Sequence, residues 1–226
     1  MLVIKEERLE KIKRVLNYKQ PTLQIFLEDV HDPHNISAVM RSADAVGVLN
    51  FYFSRKNNEK VNISQNVTQG SYKWLFPKKI NYEDRIEFIK SKKKEGFRVY
   101  TTYLDDSSIN FREANFKEPS LIVLGNEKDG VSKELLKEAD QNIIIPMYGM
   151  SQSLNVSVAA AVILYEAQRQ REEAGFYDQV QLSKNEYEKI LKEWLFREIM
   201  LKKSRGRASY NTLESSFEEI LKEYEL

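Results

Sequence analysis

Three stretches of this 226-residue chain bring together residue types that could do chemistry. In the first, the apolar run Leu23 to Leu27 leads through Glu28, Asp29, Val30, His31, Asp32, Pro33 and His34 to Asn35, where a helical pattern begins. Ile36, Val39, Met40 and Ala43 form the apolar stripe of that helix, and Arg41 lies off the stripe with Ser37 one turn before it. A guanidinium on the unburied face can offer a planar fork to a carboxylate or a phosphate. Asn35 has the side-chain oxygen that an N-cap needs. Taken alone, the pair is explained more economically as a cap and a solvated cation than as a site. His31 and His34 lie three apart beside Asp32, but Pro33 interrupts the geometry a metal-binding pair would require, so they read as polar loop residues.

The second stretch follows Leu121 to Leu124 with Gly125, Asn126, Glu127, Lys128, Asp129, Gly130, Val131 and Ser132. A strand entering a Gly-x4-Gly loop and then a helix has the outline of a phosphate loop, but Val131 stands where the lysine belongs, which disfavours triphosphate binding. The two glycines still permit close approach of backbone to a ligand, and Glu127 puts a carboxylate at the end of a strand. A plain connection capped by Ser132 explains the same residues equally well. The third stretch runs from Ile143, Ile144 and Ile145 through Pro146, Met147, Tyr148, Gly149, Met150, Ser151, Gln152, Ser153 and Leu154 to Asn155, with a helix from Val156. Polar Ser153, Asn155 and Ser157 alternate with Leu154 and Val156, and Ala159 to Ala161 allow close packing. Free amides at such a helix start, beside an irregular Pro/Gly loop, suit an adenine edge or a ribose.

The elements that must hold these stretches follow from periodicity. Short apolar runs at Leu23 to Leu27, Phe51 to Phe53, Phe97 to Tyr103, Leu121 to Leu124 and Ile143 to Ile145 predict buried strands. Helical patterns at Ile36 to Val46, about Glu83 to Lys94, Lys133 to Ala139 and Leu154 to about Glu173 alternate with them, which predicts an α/β fold with a mostly parallel sheet flanked by helices. Val61 to Ile80 reads as a loop with one short strand at most. Leu9, Ile12, Val15 and Leu16 predict an amphipathic N-terminal helix with a basic polar face, ending near Pro21. After Gly175 the strand pattern stops. Tyr187 to Leu195 and Leu213 to Tyr224 predict two further helices, joined by a linker that holds Lys202, Lys203, Arg205, Gly206 and Arg207. The expected organisation is an extension over 1–20, a main domain over 21–173 and a second extension over 174–226.

Composition narrows the function. With 35 basic and 34 acidic residues the net charge is +1, so a nucleic-acid site must come from local clustering. The absence of cysteine removes disulfides, thiolate zinc sites and cysteine nucleophiles. No membrane span or secretory leader is read, and the expected compartment is the cytoplasm. Triplets such as Asn62 to Ser64 then carry no meaning for glycosylation.

The stretch from Asn35 to Arg41, the loop from Leu124 to Ser132 and the run from Ile145 to Glu166 resemble, in order and spacing, the three motifs of the TrmH/SpoU methyltransferases of the SPOUT superfamily. The third is the most specific, with Pro146, Met147, Gly149, Ser153, Leu154, Asn155, Ser157, Val158 and Ala159. The resemblance spans about residues 22 to 172, and the terminal helices draw it toward the tRNA-modifying members. It implies a C-terminal trefoil knot, an exception to the rule that chains avoid knots. It implies S-adenosyl-L-methionine as cofactor, bound by Thr102, Gly125, Ile145 and Leu154, and no metal. It implies a homodimer built on the helices from Asn35 and Leu154, so that Arg41 of one subunit completes a site in the other. The implied reaction is 2'-O-methylation of a tRNA ribose, guanosine 18 of the D-loop, with Arg41, Asn35, Glu127, Ser153 and Asn155 as catalytic residues. Nothing in the sequence reads that base. The rival expectations are a ribosomal RNA methyltransferase of the same family, a non-catalytic RNA-binding protein on this fold and, last, an ordinary doubly wound nucleotide enzyme. The last lacks both a Gly-x-Gly-x-x-Gly and the phosphate-loop lysine.

Overall fold

The computed structural model describes residues 4–56, 68 and 70–203. Contacts divide the chain into two compact units, one from Gln20 to Asp178 and one built from the two ends, up to Lys19 and from Gln179 onward.

The larger unit holds a seven-stranded sheet: β1 (Leu23–Glu28), β2 (Asn50–Ser54), β3 (Phe76–Lys79), β4 (Arg98–Thr102), β5 (Ile109–Asn110), β6 (Ser120–Leu124) and β7 (Gln141–Ile144). Their order is β3-β2-β1-β6-β4-β7-β5, and every described pairing is parallel. The sheet is therefore wholly parallel where the sequence predicted mostly parallel. Every residue of β1 and of β6 is buried, which is why both read as unbroken apolar runs rather than as an alternation. β3 falls in the stretch read as a loop; with Pro77 in four residues and no buried position, it carries no strand signal. β5 is too short to have one.

The helices of this unit are α2 (Pro33–Ala45), α3 (Arg85–Lys94), α4 (Lys133–Leu136) and α5 (Val156–Glu173). On one face of the sheet, Phe26, Tyr52, Val99, Leu121 and Val123 pack with Ile89 of α3 and Leu135 of α4. α2 packs on α5, burying Ile36, Val39, Met40 and Ala43 of the first and Ala160, Ile163, Leu164 and Ala167 of the second. At i, i+3, i+4 and i+7 these form the stripes that hydrophobic periodicity requires.

The unit built from the ends consists of α1 (Glu6–Asn17) and α6 (Lys184–Lys203), which pack together. Ile12 and Leu16 are buried on α1, and Ile190, Trp194, Phe196 and Ile199 on α6. Arg8 donates to both oxygens of Glu198, Nε at 3.0 Å and Nη2 at 3.1 Å, a bidentate pair that sets the register of the two helices. α6 starts with a reciprocal cap: Ser183 Oγ accepts from the Glu186 amide while Glu186 Oε2 accepts from the Ser183 amide. The helix expected over Leu213 to Tyr224, the linker beyond Lys203 and the Asn62 to Ser64 triplet lie outside the described residues.

Candidate active site at the sheet switch point

In this strand order the chain leaves β1 toward β2 and β3, while the neighbour on β1's other side is β6. That reversal puts a crevice beyond the carboxyl ends of β1 and β6, the position where parallel α/β sheets bind ligands. The first two chemistry-bearing stretches emerge there, and the third, which follows β7, reaches them through Asn155.

The first corrects an expectation. α2 begins at Pro33, not after Asn35, and its N-cap is Asp32, whose side chain accepts from the His34 amide at 2.8 Å. A cap residue followed by proline is the stronger start signal, because proline has no amide to leave unsatisfied at the first helical position. Asn35 therefore sits in the first turn with its side chain released from capping.

That side chain joins the other two stretches. Asn155 caps α5, its Oδ1 accepting from the Ser157 amide at 2.8 Å and the Ser157 hydroxyl at 2.6 Å. Its oxygen being committed, Asn155 offers its NH2 to Asn35 Oδ1 at 3.1 Å. Asn35 in turn donates from Nδ2 to Glu127 Oε1 at 2.5 Å. The cap thus fixes the direction of the relay, which ends on a carboxylate that only accepts. Arg41 is exposed and makes no hydrogen bond or ion pair among the described residues. Six residues beyond Asn35, it lies about 9 Å along the axis and roughly 120° around it, so it does not share the face on which Asn35 meets Glu127. Ser153 is exposed in the loop before α5.

The loop after β6 is closed by its own backbone. Asn126 Oδ1 accepts from the Lys128 and Asp129 amides, and the Gly130 amide donates to Asn126 O at 3.1 Å. A Cβ on Gly125 would stand 2.0 Å from the Gly130 carbonyl carbon and 2.2 Å from the Val131 nitrogen, so glycine is required by the loop's own closure. Sequence reading missed the anchor beneath it. Glu28, buried at the end of β1, accepts from the Ser132 amide at 2.8 Å, the Ser132 hydroxyl at 2.6 Å and Arg85 Nε at 2.8 Å. A carboxylate closing a buried strand was the available signal; Arg85, 57 positions away, was not foreseeable.

Thr102, Gly125, Ile145 and Leu154 come from adjoining elements. Thr102 ends β4, Gly125 follows β6, Ile145 follows β7, and these strands are neighbours in the sheet. Thr102 is paired with Ile143 and sends its hydroxyl toward Val123 O at 3.5 Å. Ile145, Pro146, Met147 and Leu154 are half-buried, while Tyr148 and Met150 project fully into solvent. Partly exposed apolar side chains beside backbone groups that have run past the last ladder pairs fit the flat adenine and the ribose of an adenosyl group.

The SpoU rRNA methylase family model matches residues 22–165, and the model for the C-terminal part of SpoU rRNA methylases matches residues 169–210. The chain belongs to the SpoU methylase family. It is 44% identical over 203 residues to the tRNA (guanosine(18)-2'-O)-methyltransferase of Aquifex aeolicus strain VF5, covering 90% of this chain and 95% of the relative. The crystal structure of the A. aeolicus TrmH/SpoU tRNA modifying enzyme superposes with a TM-score of 0.82 at 45% identity, covering 86% of this chain and 98% of that one. An AdoMet-bound rRNA methyltransferase from Sinorhizobium meliloti superposes at 0.58 with 28% identity, covering 70% of this chain and 59% of that one.

Proposed function

We propose that this chain transfers a methyl group from S-adenosyl-L-methionine to the ribose 2'-oxygen of guanosine 18 in the D-loop of tRNA. The observation that carries the reading is identity of 44% to a named guanosine-18 enzyme across 90% of the chain. The relay Glu127–Asn35–Asn155, which ties the three stretches at the switch point, supports it.

Bound S-adenosylmethionine supplies an electrophilic methyl on a sulfonium, so no metal is needed to activate it. Thr102, Gly125, Ile145 and Leu154 would hold its adenosyl part, through backbone groups and the half-buried apolar side chains. Arg41 does the chemistry-facing work. A free guanidinium holds its proton to pH values above about 12, so it is no ordinary base. It instead grips the neighbouring phosphate with its fork and stabilises the alkoxide that develops as the 2'-hydroxyl passes its proton to that phosphate oxygen or to solvent water. Glu127, Asn35 and Asn155 keep the loops in register, and Ser153 shapes the methyl-transfer pocket.

The working form is a homodimer. Arg41 is turned away from its own subunit's relay, and Val158 and Tyr165 expose apolar surface on one face of α5, next to α2. A second copy packed there would receive Arg41 into its site. The C-terminal part carries the family's trefoil knot, and the protein works in the cytoplasm; no helix among the described residues is long and apolar enough to cross a membrane.

The first experiment incubates the protein with labelled S-adenosylmethionine and unmodified tRNA transcript and maps the methylated ribose. One D-loop 2'-oxygen should take the label, and Arg41→Ala should slow that labelling about 100-fold. The family model's own description favours a second substrate, ribosomal RNA; labelling of a ribosomal RNA fragment but not of tRNA would select it.

A further inference from the structure

The connection from β4 to β5 is shorter than parallel strands ordinarily allow. Thr102 at the end of β4 and Ile109 at the start of β5 flank the same residue, Ile143 of β7. The chain from Tyr103 to Ser108 therefore passes from one side of β7 to the other. A parallel connection usually takes a dozen or more residues, because the chain must return to the start of the sheet. Here β5 begins at the level where β4 ends, and no return is needed. Two strand spacings are about 10 Å, whereas the chain from Thr102 to Ile109 could stretch to roughly 23–25 Å. The strap holds slack that something must fix.

Asp105 fixes it. Its Oδ1 accepts from the Ser107 amide at 2.9 Å and the Ser107 hydroxyl at 2.8 Å, which folds the strap back on itself. Its own amide donates to Ser108 Oγ at 2.9 Å, and that hydroxyl stands 2.8 Å from both Asp105 Oδ1 and Tyr103 O. Oδ2 is left for β7 and accepts from Asn142 Nδ2 at 2.6 Å. A carboxylate only accepts, so Asn142 must give it the NH2 and keep its Oδ1 for the hydroxyl of Thr101, which is fully buried in β4. A second tie runs from Gln141 Nε2 to Ser107 O at 2.9 Å. Hydrogen bonds from Ser108 and then Ser107 hold the Asp105 carboxyl below the usual carboxylate range, so it is ionised at neutral pH.

The ends of this relay lie beside cofactor residues. Thr101 immediately precedes Thr102, and Asn142 stands three positions before Ile145. Directly after Thr102 the strap presents Tyr103 and Leu104, 39% and 75% exposed, so its conformation decides where that apolar surface stands. We propose that Asp105 is a positioning residue for S-adenosylmethionine: acting through Asn142 and Thr101, it locks the strap and sets the carboxyl ends of β4 and β7 before the cofactor arrives. The proposal rests on the reading of Thr102 and Ile145 as cofactor-binding residues. Asp105 touches no reacting atom. Its contribution is preorganisation, since a strap already ordered spares the ligand the entropy of ordering it.

The test titrates the full chain with S-adenosylmethionine by calorimetry, without RNA, and then measures turnover at saturating cofactor on the RNA that the wild-type protein methylates. Asp105→Ala should weaken cofactor binding about five- to tenfold and leave saturated turnover within about twofold, a loss of preorganisation alone. Hydrogen exchange in the free protein should show the Ser107 amide losing its protection. Asp105→Asn should bind within about twofold of wild type, because its Oδ1 keeps the Ser107 bonds and the Asn142 amide can turn over onto a Thr101 hydroxyl that accepts as well as donates. Asn142→Ala should weaken binding as Asp105→Ala does, and the double variant little further, since both changes break one relay. Wild-type affinity in Asp105→Ala would overturn the positioning role. So would a fall in saturated turnover with affinity kept, an Asp105→Asn variant as weak as Asp105→Ala, or losses that multiply in the double variant. If the wild-type protein does not bind S-adenosylmethionine, the methyltransferase reading falls and this inference with it; wild-type binding together with any of those results removes the inference alone.

Discussion

Arg171 near the end of α5 and Arg41 in the middle of α2 carry the same side chain on helices that pack together, yet the first is fully buried and the second lies open to solvent. Arg171 serves the amino edge of the sheet. Its Nε donates to Phe116 O, Nη1 to Gln20 Oε1 and Thr22 Oγ1, and Nη2 to Thr22 O and Glu118 O, at 2.9 to 3.2 Å. Those oxygens stand just ahead of β1 and β6, so one rigid fork ties together the starts of the two central strands. No carboxylate is among them. Burial pushes its pKa down to about 10, which still leaves it charged at neutral pH. Arg41, beside the carboxyl edge, has none of these partners. A guanidinium with every donor satisfied is structural cement, and one with no partner among the described residues is available to a ligand.

Breaking the buried arginine should have the largest effect. Arg171→Ala leaves several buried acceptors unpaired and should cost about 3–5 kcal/mol of stability, seen as a fall of roughly 10 °C in the thermal midpoint, with methyl transfer surviving at low temperature. Arg41→Ala should do the reverse. Its single-turnover rate should drop about 100-fold, near 3 kcal/mol, with the midpoint unchanged and cofactor binding kept, and a wild-type rate would end the proposed role. Arg41→Lys should recover little, since it keeps the charge and loses the fork.

Gly125→Ala sharpens the contrast from the loop side. Its Cβ would meet the Gly130 and Val131 backbone at about 2 Å, so the loop must open, at a cost of about 1–3 kcal/mol. Cofactor affinity should fall more than stability, as calorimetric titration would register. Glu127→Gln keeps the hydrogen-bond geometry to Asn35 but loses the charge, and should slow turnover about tenfold, roughly 1.4 kcal/mol. The smallest effect concerns pH. Burial pushes the Tyr177 phenol up to about 12, and it donates to Val46 O at 2.7 Å. An acid whose folded pKa is raised binds its proton more tightly when folded, so its stabilisation is complete below pH 10 and is lost as pH rises from about 10 to 12. Partial exposure discounts this to about 1 kcal/mol. Tyr177→Phe should flatten that part of the stability profile, and an unchanged alkaline loss would assign it elsewhere.

Much of the scaffold was legible. The strands around Leu23 to Leu27, Phe51 to Phe53 and Leu121 to Leu124 were visible because a parallel sheet buried on both faces demands continuous apolar runs. α2 and α5 were visible because one packed face imposes a 3.6-residue stripe. β3 and β5 were not, the one carrying Pro77 with no buried residue and the other having two residues. α4 ends at Leu136 rather than Ala139, after a single turn that periodicity cannot measure.

The sequence by itself determined the class of fold, the order of the three stretches and the residue types each brings, because local periodicity and motif spacing are properties of the linear chain. Only the tertiary structure decided what those residues do to one another. Asn35 was a cap until Asp32 and Pro33 started the helix earlier and freed its amide for Glu127 and Asn155. Glu28, Asp29 and Arg171 looked like ordinary charged residues until folding buried them beside partners as much as 151 positions away. Hydrogen bonding and burial depend on which groups meet in space, and no spacing along the chain encodes a meeting between residues 28 and 132, or 35 and 155.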